Sequence, residues 1–126
     1  MLNVISVGLG GALGAAGRYG VGMLCKNVAP AAVFPAATLF VNVSGAFLIA
    51  LASVCFQKTD GMGTALQLFI MTGVMGGFTT FSSFSLETME LAAGGRMTMA
   101  AVNVIVSVGA CLAGIWLGKC VGEGLF

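Results

Sequence analysis

The residues able to do chemistry are concentrated in Gly76-Gly77-Phe78-Thr79-Thr80-Phe81-Ser82-Ser83-Phe84-Ser85-Leu86-Glu87, a hydroxyl-rich stretch inside an otherwise apolar segment. Glycine costs about 1 kcal/mol against alanine in a helix interior, and threonine crowds the preceding turn, so the stretch predicts a broken helix. Broken backbone at membrane depth is tolerated only where protein, ions or water in a cavity satisfy its polar groups. The stretch is therefore the expected functional centre. Its hydroxyls donate hydrogen bonds without carrying charge. Phe81 and Phe84, three apart, project from one face once the helix resumes, and aromatic ring edges are weakly positive. Carbonyls freed between Gly76 and Thr79 offer the opposite polarity and suit a hard cation such as sodium.

Other polar groups fall at the same depth. Thr38 and Asn42 lie one turn apart on one face of a second apolar run. A primary amide in hydrocarbon serves either as a link between helices or as a donor to a passing anion. Asn103, Ser107 and Cys111 follow i, i+4, i+8 and make a polar stripe, which lines water or another such stripe. Glu87, a turn beyond Phe84, reads as a buried or pathway-facing carboxylate, and Glu90 as a solvated one at headgroup level. Arg18 either snorkels to the interface or attracts anions at a vestibule.

With 59% hydrophobic and 7% charged residues, the chain has too few polar side chains to coat a soluble globule and belongs in a bilayer. The five basic residues are scattered among four acidic ones, so no nucleic-acid surface is expected. Histidine is absent, and the four cysteines lack CxxC spacing, which argues against a zinc or haem site. They read as small apolar fillers. The opening residues have no basic segment of the signal-peptide kind, so the first run is expected to stay in the membrane.

Four apolar spans are expected, at about 2–25, 36–56, 64–91 and 97–119, forming a single domain with both termini on one side. Lys26 to Pro30, Gln57 to Gly61 and Gly94-Gly95 make the connections. Gly10, Gly14 and Gly17 share one face of the first span, and Ala110, Gly114 and Gly118 repeat the device in the fourth, allowing close helix approach. Such thin helices enclose little alone, which implies a homo-oligomer, most simply a dimer. Lys58 and Lys119 lie on the side of the termini, and Lys26 and Arg96 on the other, with Arg18 near that same end of the first span, two against two or three. So even a distribution gives little instruction for insertion. Both orientations, and hence an antiparallel homodimer, are expected. In a symmetric pair, two carbonyls from each copy would form a four-oxygen cage for the cation.

A cation pathway would show acidic rings or repeated carbonyls, and a proton-coupled exporter needs a titratable group near the membrane middle. A permeant anion needs uncharged donors, which are the groups on offer. Composition does not choose the ion.

The chain resembles the small dual-topology fluoride channels called Fluc or CrcB. The resemblance runs over essentially the whole sequence. It is carried by Gly10-Gly11-Ala12-Leu13-Gly14-Ala15-Ala16-Gly17-Arg18-Tyr19, by Thr38-Leu39-Phe40-Val41-Asn42-Val43-Ser44-Gly45, and above all by Gly76 to Glu87. It implies an all-α integral membrane protein with four transmembrane helices, a break in the third, and an antiparallel homodimer with two pores. The implied activity is passive export of toxic fluoride across the cell inner (cytoplasmic) membrane of a microbe, with a central structural sodium ion and no enzymatic step. By position, Phe81 and Phe84 match the aromatic box, Asn42 the pore asparagine, and Gly76 and Thr79 the carbonyl donors to sodium. Thr80 and Ser83 match the hydroxyl motif, Ser107 the pore-side stripe, and Glu87 the acidic position; Thr38 is grouped with the pathway. Ala37 stands where glycine is common, and Cys111 where a hydroxyl is expected. Membrane lipid and a second copy are the only partners implied. A small multidrug exporter is the alternative, but it would want an acid in the first span, which has none.

Overall fold

A computed structural model describes residues 1–59 and 62–126, so Asp60 and Gly61 of the second expected connection lie outside the described residues. Those described are helical, with no strand among them. Helix α1 spans Leu2–Val28 and α2 spans Ala36–Lys58. The third span begins as α3, Thr64–Gln67, passes through a π-helical stretch, Leu68–Met75, and continues as α4, Gly76–Phe78. It resumes after a break as α5, Phe81–Ala93, and α6 covers Met97–Leu125.

Three of these segments, Ala36–Lys58, Thr64–Ala93 and Met97–Leu125, are long and apolar enough to cross a membrane. The chain is thus a multi-pass membrane protein. Helix α1, at 27 residues, rises about 40 Å, ample for a bilayer, but its glycines and Arg18 make it less apolar than the other three. Each long helix outruns its expected apolar run. In particular, α1 continues through Lys26-Asn27-Val28, where a turn is expected, and ends only at Ala29, whose N–H reaches the Cys25 carbonyl. Hydrogen-bonded propagation continues past the hydrocarbon edge because nothing before Pro30 opposes it.

The turn after α5 is legible from its glycines. Gly95 has φ +76°, the left-handed conformation glycine adopts at no steric cost. Its N–H bonds the Ala92 carbonyl and the N–H of Arg96 bonds that of Leu91, which is a Schellman closure.

Two glycine seams assemble the helices. In the first, α1 lies along the π-helical stretch and α4. A Cβ on Gly14 would meet the Val74 carbonyl oxygen and sit 2.7 Å from the Phe78 nitrogen. One on Gly10 would meet the Phe69 carbonyl, and one on Gly77 the Gly11 carbonyl. In the second seam α6 lies along α2, where a Cβ on Gly118 would meet the Phe47 carbonyl and one on Gly114 would sit 3.1 Å from that of Val43. Lipid supplies no hydrophobic drive between helices, so such close backbone packing is what holds them together. A further tie is α5 against α6, and α2 also touches α1 and the π-helical stretch. Leu13, Ile105 and Trp116 stay exposed on the outside, as lipid-facing or partner-facing side chains do.

Candidate functional site

The third span breaks at two residues, Thr79 (φ −81°, ψ 159°) and Thr80 (φ −153°, ψ 117°), both extended. The glycines expected to cause the break, Gly76 and Gly77, are helical. Gly77 serves the α1 seam instead, where a Cβ would meet the Gly11 carbonyl, whereas Gly76 has open space beside it. What holds the break open is Asn42 of α2. Its Nδ2 donates to the Thr80 carbonyl at 3.0 Å, and its Oδ1 accepts from the Thr80 N–H at 2.7 Å. The amide thus completes both main-chain groups of an extended residue, as a neighbouring strand would. The link between helices expected of Asn42 is present, and its second N–H remains available as a donor.

In an uninterrupted helix the Thr80 N–H would go to the Gly76 carbonyl and the Ser83 N–H to that of Thr79. The first goes to Asn42, and the second goes to the Thr80 hydroxyl at 3.2 Å, which caps α5. The Gly76 and Thr79 carbonyls thereby lose their i+4 donors. That of Thr79 faces the Arg18 guanidinium at 3.4 Å. Thr79 is anchored from the other side, its N–H and hydroxyl both reaching the Met75 carbonyl, at 3.0 and 2.9 Å. Gly45 of α2 makes room for the Thr79 methyl. Neutral carbonyl oxygens freed of helix donors are of the kind a hard monovalent cation takes, and the Arg18 guanidinium already stands beside that of Thr79. No cluster of acidic, cysteine or histidine side chains able to hold a metal exists among the described residues.

The expected pathway residues sort into two hollows. One, of about 620 Å³, is lined by Asn42, Gly76, Thr79, Phe81, Phe84 and Ser107, with Cys111 also on its wall. The other, of about 660 Å³, is lined by Arg18, Lys26, Thr38, Ser83 and Glu87. Thr80 borders both, so the break is the partition between them. In the first hollow the Phe81 and Phe84 rings stand with centroids 5.5 Å apart, tilted by 44°. Phe84 is buried, whereas Phe81 is 77% exposed. In the second, the Thr38 hydroxyl donates to Glu87 Oε1 at 2.8 Å, while the buried Oε2 has no partner. The Thr80 hydroxyl bonds that of Ser82 at 3.2 Å and donates to that of Ser83 at 3.1 Å.

Three arrangements lie beyond the sequence reading. Thr88 receives the Asn103 amide and bonds the Phe84 carbonyl, although nothing in the local pattern marks it. The contact of Arg18 with Thr79 spans 61 positions of sequence, and an apolar run such as Leu68 to Met75 has no local mark for π-helical bonding.

Residues 5–119 match the family described as CrcB-like protein, Camphor Resistance (CrcB). The chain belongs to the CrcB family. It is 44% identical over 119 residues to a Ruminiclostridium cellulolyticum protein named fluoride-specific ion channel FluC, covering 94% of this chain and 91% of that one. A Methylobacterium protein of the same name is 44% identical over 115 residues, covering 91% of each. The Agrobacterium fabrum protein so named is 38% identical over 126 residues, the full length of both. The CrcB match includes both glycine seams and the whole of the break, so the features described above fall within the shared region. Those relatives are named as channels, not enzymes.

Proposed function

We propose that this CrcB chain forms a fluoride-selective channel that lets fluoride leave the cell passively across the cytoplasmic membrane. The observation that carries the reading is the Thr79–Thr80 break, held open by Asn42 beside the Phe81 and Phe84 rings, in a chain whose relatives are named for fluoride. Fluoride holds its water tightly, so a path must replace that hydration at close range. Amide N–H, hydroxyls and ring edges do so without a fixed cation that would trap the ion. Asn42, Thr80, Phe81, Phe84 and Ser107 are the residues assigned to the ring-lined hollow. Thr38, Ser83 and Glu87 are assigned to the other, where Arg18 and Lys26 raise the local anion concentration.

In this reading α1 also crosses the membrane, giving four spans, and two oppositely inserted copies form the working dimer with two pores. The exposure of Phe81 at a hollow lined mainly by apolar side chains and the even lysine and arginine balance support that assembly. A sodium ion held by the Gly76 and Thr79 carbonyls of both copies would close the interrupted backbone and add its binding free energy to the dimer. The exporter reading is disfavoured because α1 contains no acid.

The test is efflux from liposomes loaded with fluoride or with chloride and containing the purified protein. Rapid loss of fluoride alone is expected; equal loss of chloride, or none of either, overturns the proposal.

A further inference from the structure

Helix α5 poses a mechanical problem. It has 13 residues, begins directly after two extended ones and ends at the Gly95 turn, so no continuous backbone fixes its rotation about its own axis. Yet it carries both rings. The element packed most extensively along it is α6, while α2 reaches it through the Thr38–Glu87 bond, and by distance from the turn the residues of α5 and α6 fall into successive levels: Leu91 with Ala100, half-buried Thr88 with Asn103, Phe84 with Ser107. Leu91 and Ala100 are apolar and define no rotation closely.

The middle level is different. Asn103 is 1% exposed, the most buried polar residue of the described chain. Its Nδ2 donates to Thr88 Oγ1 at 2.8 Å, and that hydroxyl donates its own proton to the Phe84 carbonyl at 2.7 Å. On the other side, Ser107 Oγ donates to Asn103 Oδ1 at 3.3 Å. The bonds run in one direction, from Ser107 through Asn103 and Thr88 to the main chain of Phe84. Both end residues line the same hollow. A buried polar group with directional partners specifies one arrangement where apolar contact tolerates several.

We infer that Asn103 is a positioning residue: by tying the Ser107 hydroxyl of α6 to the Phe84 carbonyl of α5 through Thr88, it sets where the Phe84 ring stands against Ser107. The inference rests on the proposed fluoride pathway only for its effect on flux, because the ring position is readable without any permeant.

The test uses the full chain with 4-fluorophenylalanine at position 84, as Asn103→Leu, Thr88→Val, the double variant and Thr88→Ser. Asn103→Leu and Thr88→Val each remove a link at nearly constant volume, and Thr88→Ser keeps the hydroxyl. The ¹⁹F resonance should move or broaden in the first three and stay in Thr88→Ser. Fluoride efflux should fall about tenfold in each single variant, the weight of one hydrogen bond, and no further in the double, since one broken link already severs the tie. An unmoved resonance in Asn103→Leu and Thr88→Val overturns the inference, as does Thr88→Ser behaving like Thr88→Val or a double variant whose losses multiply. Should Asn103→Leu not fold, the two Thr88 variants decide alone. If even the unaltered chain passes no fluoride, the channel reading fails, and the resonance still decides the role of Asn103.

Discussion

The α1 seam and the α5–α6 contact join helices of the same chain by opposite means. Along α1, Gly10, Gly14 and Gly77 bring main chain against main chain, leaving no side chain that could adopt a second rotamer. Along α5, the tie passes through side-chain hydrogen bonds of Thr88, Asn103 and Ser107. The first contact is dry and rigid, and its cost of alteration is steric. The second is polar, and its cost of alteration is a lost donor or acceptor. The break lies where the two regimes meet, so a rigid rod ends at the point from which donors are presented. A small membrane protein can thus separate the task of staying assembled from that of displaying polar groups by assigning them to the two halves of one span.

The largest effect is expected from breaking the rigid side. Gly14→Val would drive a side chain into the Val74 carbonyl and the Phe78 nitrogen, neither of which is a flexible tip, and should cost about 3 kcal/mol or more. Loss of the folded protein on size-exclusion chromatography checks it. Gly8→Val, with nothing within 4 Å, should behave like the unaltered chain in the same measurement. Equal behaviour of the two would erase the distinction between the regions.

Next comes the junction. Asn42→Leu strips both partners from the Thr80 main chain, and leaving two part-buried groups unsatisfied should cost about 2–4 kcal/mol in denaturant unfolding, with loss of fluoride efflux. Unchanged stability would mean the break holds itself open. On the polar side, Phe81→Ile removes a ring edge and little else. It should lower fluoride efflux about tenfold or more, a change of at least about 1.4 kcal/mol, with normal elution of the protein. Normal flux would remove the ring from the pathway. The smallest effect belongs to Thr79→Ser, which keeps the hydroxyl bond to Met75 and the carbonyl; a change within about 0.5 kcal/mol in unfolding and near-normal efflux are expected.

Much of this was legible in the sequence, and the reasons differ by region. Long apolar runs with short polar connections announce helices directly, and Gly10, Gly14, Gly114 and Gly118 announce close approach, because both signals are local. The break was legible in place, within Gly76 to Glu87, but its cause was not. Glycine suggested weak helix, whereas the structure keeps Gly76 and Gly77 helical and opens the chain at Thr79 and Thr80 through a residue 38 positions earlier. A bond between Asn42 and Thr80 leaves no local trace. The same holds for Arg18 on the Thr79 carbonyl and for Thr88, which only tertiary packing brings to Asn103. The expected pathway residues that share a hollow on one helix, Phe81 with Phe84 and Ser83 with Glu87, do so because they share a helix face, which periodicity does encode.

The amide of Asn42 gives the interruption a second owner. Since one side chain on α2 satisfies both main-chain groups of Thr80, the bend is a property of two helices and disappears if they part. Residues 64–93, excised and placed in detergent micelles, should straighten into a single rod, and addition of an α2 peptide carrying the asparagine should bend it again.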